Sequence, residues 1–76
     1  MHYLVLLRCT FDDLSIRLFE DQAEAIQFAK TFDVDAATAA WEQLDWSTSD
    51  PAWVGVVTFK NGIPAGYEVV RDFDGE

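Results

Sequence analysis

Acidic side chains recur at short spacing in this chain, as Asp12-Asp13, Glu20-Asp21, Asp33-x-Asp35 and Asp72-x-Asp74-Gly75. Paired carboxylates perform acid–base chemistry when two of them occupy different environments inside a cleft. Asp12-Asp13 and Glu20-Asp21 fall at turn-like and helix-entry positions instead, where ordinary solvation explains them. Asp33-x-Asp35 opens like a calcium loop. An EF-hand, however, needs an oxygen ligand at the fifth position, Gly at the sixth and Glu at the twelfth. Ala37, Thr38 and Leu44 stand there, so helix capping is the better reading. Asp72-x-Asp74-Gly75 has only Glu76 after it and reads, with the rest of 72–76, as a fraying acidic tail.

The other reactive types are sparse. Cys9 is the one cysteine and His2 the one histidine. In a single extended strand they would stand about 23 Å apart and point to opposite faces, so the imidazole cannot activate the thiol. Cys9 therefore reads as a buried thiol. Four scattered glycines make no phosphate loop, and no His/Cys cluster could hold zinc. The expectation is a non-enzymatic protein with no catalytic, metal-binding or cofactor-binding residue.

Composition narrows the class further. Fourteen acidic residues against five basic ones give a formal charge of -9 on 76 residues, which disfavours direct nucleic-acid binding. A hydrophobic content of 50% with 14% aromatics is too rich for a disordered acidic tail. No apolar run approaches the roughly 18 residues of a membrane helix. The segment Met1–Arg8 lacks a basic n-region and a cleavage site, so a cytoplasmic location is expected. No repeat or linker divides 1–76, which reads as a single domain.

The elements that must position these residues follow from hydrophobic periodicity. Tyr3 to Phe11 reads as a strand, with Tyr3, Val5, Leu7, Cys9 and Phe11 on one face and Leu4 and Leu6 beginning the other. Apolar residues on both faces suggest a central strand. Asp12-Asp13 signals a turn, and Leu14–Leu18 alternates as the return strand of a hairpin, with a loop into the helix as the alternative. Asp21 with Glu24 forms an Asp version of the capping box, starting a helix over about 22–32. Its stripe of Glu20, Glu24, Gln27 and Thr31 leaves a wide apolar face.

Asp33 or Asp35 can cap a second helix over about 36–45, with Val34, Ala37, Ala40, Trp41 and Leu44 on one side. Trp46–Pro51 reads as loop. Trp53–Phe59 is a strand by composition, Asn61-Gly62 signals a type I′ hairpin, and a last strand runs over about 66–73. A two-residue turn would place Thr58 opposite Ala65 and Val56 opposite Tyr67. A longer loop through Pro64 would move every side chain to the other face.

The order β-β-α-α-β-β predicts an α+β fold: a two-layer domain with a four-stranded, mainly antiparallel sheet and two helices on one face. The N-terminal strand should sit in the sheet centre beside a C-terminal strand. Trp41, Trp46 and Trp53 read as a core cluster closing the end of the sheet; the alternative is that Trp46 is partly exposed and anchors a partner. Two helices can cover one face only. The uncovered face should then expose Leu4, Leu6, Val54 and Val56, with Arg8, Arg17, Lys60 and Glu68 as a polar rim.

The expected function is a protein-interaction or regulatory module, homodimeric through that open face or bound to another protein. Two alternatives stand beside it. One is an acidic nucleic-acid mimic that blocks a basic protein. The other is a small-ligand domain with its pocket at a dimer interface.

Overall fold

The doubly apolar N-terminal segment becomes β1 (His2–Cys9), and it has a strand on either side. The structure, a computed structural model, describes residues 1–73. β1 turns back into β2 (Asp13–Phe19), as the alternation of 14–18 predicts. Two helices follow, α1 (Gln22–Thr31) and α2 (Val34–Gln43), and then the hairpin of β3 (Pro51–Lys60) and β4 (Ile63–Asp72). The sheet is antiparallel throughout in the order β2-β1-β3-β4. The fold class is therefore α+β, as expected. Among the described residues no helix is long and apolar enough to cross a membrane.

Odd-numbered residues of β1 face the helices. Val5, Leu7 and Cys9 are buried there with Leu14 of β2 and with Val54 and Val56 of β3, under Ala25 and Ala29 of α1. The small alanines let α1 approach the sheet closely, and it packs against all four strands. The Asp21 carboxylate starts it by accepting from the Ala23 N–H at 3.3 Å. At its other end the Arg71 guanidinium of β4 donates to the Phe32 carbonyl at 2.9 Å and to that of Ala29 at 3.4 Å. These are carbonyls that the last turn leaves unpaired, and a cation suits that end of the dipole. The Arg71 guanidinium also lies over the rings of Phe32 and Phe73, at 5.6 and 5.4 Å.

The second helix starts two residues earlier than predicted, because Asp33 rather than Asp35 caps it, its carboxylate accepting from the Ala36 N–H at 3.1 Å. It ends in a Schellman motif that the sequence did not announce, since no glycine marks it. Asp45 adopts φ 62° and its N–H donates to the Glu42 carbonyl, while the Trp46 N–H donates to that of Trp41. The hydrophobic contact of that motif is the tilted pair Trp41–Trp46, with centroids 5.6 Å apart. Trp53 lies elsewhere, stacked on Tyr67, so the expected three-tryptophan cluster does not form.

The β3–β4 hairpin combines both registers considered from sequence. Its turn has two residues, Asn61 and Gly62, at φ 54° and 78°, and Lys60 pairs with Ile63. A bulge at Ala65 then inserts one residue, so Thr58 faces Gly66 and Val57 faces Tyr67. The last strand begins three residues earlier than expected, at Ile63, and ends at Asp72, within a residue of the expected end. Asp72 still pairs with Trp53, and the Phe73 N–H donates to the Ala52 carbonyl at 2.9 Å while its ring packs on the core. The acidic tail thus does not begin at 72, and residues 74–76 lie outside the described residues.

Asp45 holds a left-handed conformation that costs a residue with a Cβ about 1 kcal/mol or more. Asp45→Gly should therefore stabilise the domain by about 0.5–1 kcal/mol in urea unfolding.

Candidate functional site

Even-numbered residues of β1 face away from both helices, and register carries that face across the sheet. Leu4 pairs with Leu18 of β2 on one side and Val57 of β3 on the other, and Val57 pairs with Tyr67 of β4. The result is one apolar row, Leu18–Leu4–Val57–Tyr67, spanning all four strands. The next row is Ser15–Leu6–Gly55–Val69, and a third ends the face with Asp13–Arg8–Trp53–Asp72. Leu4, Leu6, Val57 and Phe59 are half-buried by one another, whereas Leu18, Tyr67 and Val69 are exposed.

Two of the residues expected on this face are absent from it. Val54 and Val56 pair with Leu7 and Val5 and are buried under the helices. Both parities of 53–59 are apolar, so alternation could not choose between them; pairing with β1 does, and it puts Trp53, Val57 and Phe59 outward. Trp46 also lies apart, on the helix layer against Trp41. Of the expected rim, Arg8 is present, its Nε 3.2 Å from an Asp13 carboxylate oxygen. Arg17 and Glu68 pair with Val5 and Val56, so they belong to the helix side. Arg17 lies over the Phe19 and Phe28 rings, at 4.8 and 5.6 Å.

Gly55 explains how the aromatic end of the face is built. A Cβ there would meet Trp53 Cζ3 at 2.6 Å and the Glu68 carbonyl at 3.0 Å. With no side chain at 55, the Trp53 indole lies down along the sheet and stacks on Tyr67, centroids 5.6 Å apart and planes within 15°. A shallow cavity of about 310 Å³ between this pair, Leu6, Arg8 and Val57 marks the face. A second, of about 280 Å³, is bounded by Leu4, Leu18 and Phe59.

The residues closest to chemistry lie at the β1–β2 turn. The Ser49 hydroxyl donates to the Asp12 carboxylate and accepts from the Phe11 N–H at 3.0 Å. The Ser49 N–H also donates to Asp12 at 3.3 Å, and the Thr10 N–H donates to the Asp50 carbonyl at 2.9 Å. Both sides of the Ser49 hydroxyl are engaged in pinning the α2–β3 loop to the turn. Cys9 is buried beside this corner. Burial, and then the negative charges of Asp12, Asp13 and Asp50, push its thiol above the ordinary value of 9.0. The thiol is thus held protonated, the reverse of what a nucleophile needs.

The chain matches no protein-family model, no curated protein and no solved structure. Its class is defined by the fold and by this face: a small α+β domain whose sheet is covered by helices on one side and is apolar on the other.

Two tests follow. Gly55→Ala must expel the indole, so it should cost about 1–3 kcal/mol in stability and reduce the near-ultraviolet circular dichroism of the Trp53–Tyr67 stack. For Cys9, the folded thiol keeps its proton at a pH where the unfolded thiol ionises. Its contribution is therefore complete below about pH 9 and is lost as pH rises beyond that. Unfolding free energy should fall with pH in that alkaline range, and Cys9→Ala should flatten the slope.

Proposed function

We propose that this chain is a non-catalytic protein-interaction module that works as a homodimer, two copies stacking through their open sheet faces. The observation that carries this reading is the apolar row Leu18–Leu4–Val57–Tyr67, which crosses the whole sheet on the side the helices leave bare. Contiguous apolar surface of that kind marks an interaction site. A second copy is the occupant favoured by size and by charge.

The broad side of the molecule measures 31 × 29 Å, room for the ~800 Å² that a standard interface takes from each partner. The Trp53–Tyr67 stack supplies the rigid aromatic anchors typical of interface centres. Charge is segregated to suit face-to-face stacking. Residues 20–45, which form the helix layer, hold seven of the carboxylates and only Lys30 as a cation. With sheets ~10 Å apart, the two helix layers would lie on opposite outer surfaces, beyond the ~8 Å screening length.

The sheet edges, by contrast, are guarded. β2 is bulged at Ile16, and β4 carries bulges at Ala65 and Val70 as well as Pro64, which has no N–H. Such edges resist strand-to-strand addition, which leaves the face as the route to assembly. A lone buried cysteine supports a reducing, cytoplasmic setting.

Light scattering at micromolar concentration should give twice the chain mass of 8.6 kDa. Leu6→Asp should yield monomer. Tyr67→Asp, at a position 67% exposed in the single chain, should do the same without touching the core. A native protein that elutes as a monomer, or a dimer indifferent to both substitutions, overturns the reading.

A further inference from the structure

The helix layer carries a second unpartnered apolar surface, chemically unlike the first. Ile16 of β2 and Ala37, Ala40, Trp41 and Leu44 of α2 line a groove of about 200 Å³. The α2 stripe that the sequence aims at a core is thus only partly used. Val34 at its first turn is buried, whereas Leu44 at its end is 73% exposed. Beside the groove stands Trp46, 52% exposed yet fixed in place. Its N–H is tied to the Trp41 carbonyl and its ring packs on the Trp41 ring. An aromatic anchor held this way loses little conformational freedom on binding.

Charge identifies the occupant. From Thr31 to Phe59 the chain has five carboxylates, at Asp33, Asp35, Glu42, Asp45 and Asp50, and no Lys, Arg or His. The helix and loop on one side of the groove therefore carry negative charge alone, and Arg17, next to Ile16 on the β2 side, is engaged over the Phe19 and Phe28 rings. A second copy of this chain would bring like charge to like charge, and an anionic membrane surface would be repelled in the same way. A cationic partner would be steered toward it.

We infer that the groove between α2 and β2 docks a cationic amphipathic segment of a partner protein. Apolar side chains of that segment seat between Ile16, Trp41 and Leu44, and its Lys or Arg residues are drawn to the carboxylates of α2 and of the loop after it. An amphipathic helix in an apolar groove is a recurrent form of peptide recognition. The inference does not depend on the open sheet face, since none of the groove residues lies there.

The probe is an amphipathic Leu/Lys peptide of about four helical turns, compared with its Leu/Glu counterpart. Both are titrated into the isotopically labelled protein and followed by amide and indole resonances. The Leu/Lys peptide should saturate, shifting Ala37, Ala40 and Leu44 and the indoles of Trp41 and Trp46, while the indole of Trp53 stays put. Leu44→Ser, at an exposed position, should keep the circular dichroism spectrum and weaken binding about tenfold. Raising salt from about 0.05 to 0.5 M should weaken it several-fold. The Leu/Glu peptide should not bind.

Non-saturating shifts spread over all the carboxylates would mean charge attraction without a groove, and would overturn the inference. So would an affinity unchanged in Leu44→Ser, or shifts confined to Leu4, Val57 and Trp53. That last pattern would place peptide binding on the open sheet face, and the mass of the free protein would still report separately on the dimer.

Discussion

A sheet has two faces, and the two short helices of this chain lie on the same one. The rest of the architecture depends on that asymmetry. β1 is apolar in both parities because it runs through the sheet centre, yet only Val5, Leu7 and Cys9 receive a cover. Leu4 and Leu6 are left to shelter among their cross-strand neighbours. The accessible surface is 5085 Å², against about 4,700 Å² for an average folded chain of this mass.

The covered side compensates for its small core with aromatic and cationic contacts. Phe19 of β2 and Phe28 and Phe32 at α1 form a ladder, with the Phe28 and Phe32 rings parallel and their centroids 5.3 Å apart. Arg17 lies over Phe19 and Phe28 at one end of the ladder, and Arg71 lies over Phe32 at the other. These arginines are part of the packing, since guanidinium groups sit well on aromatic faces and their stems cover apolar surface. Two of the chain's five cations are thereby committed to structure, and a third, Arg8, pairs with Asp13 on the other face. The cations do not gather into a basic patch.

Local signals carried most of the fold. The Asp21 and Asp33 caps, the alternation of Leu14–Leu18 and the Asn61-Gly62 turn each have a short-range cause, and each stands where that cause puts it. What escaped the sequence was decided by contacts distant along the chain. The face of Val54, Val56 and Val57 was illegible because all three are apolar β-branched residues; only the pairing of Val57 with Leu4 fixes it. The bulges at Ile16, Ala65 and Val70 have no composition signal of their own. The pin from Ser49 to Asp12 joins segments 37 residues apart. Trp46 was legible as an exposed aromatic but not as the closing contact of a helix end, because Asp45 takes the left-handed position usually given to glycine.

The acidity of the chain acquires a different meaning once its geometry is known. Taken singly, several carboxylates hold ordinary posts: Asp21 and Asp33 cap helices, Asp12 pins a loop, Asp13 pairs with Arg8. Taken together, they are distributed unequally. The helix layer and the loop after it hold most of the negative charge, while the bare sheet face mixes a few ionic groups of both signs at one end with apolar rows behind them. Like charges on one side of a small slab repel whatever resembles them. An apolar face without such a field has no comparable barrier to meeting its own copy. The same fourteen acidic residues, evenly spread, would oppose self-association everywhere and favour a cationic partner nowhere in particular. Segregation leaves this 76-residue chain with two unlike apolar surfaces, one nearly free of net charge and one set in a negative field.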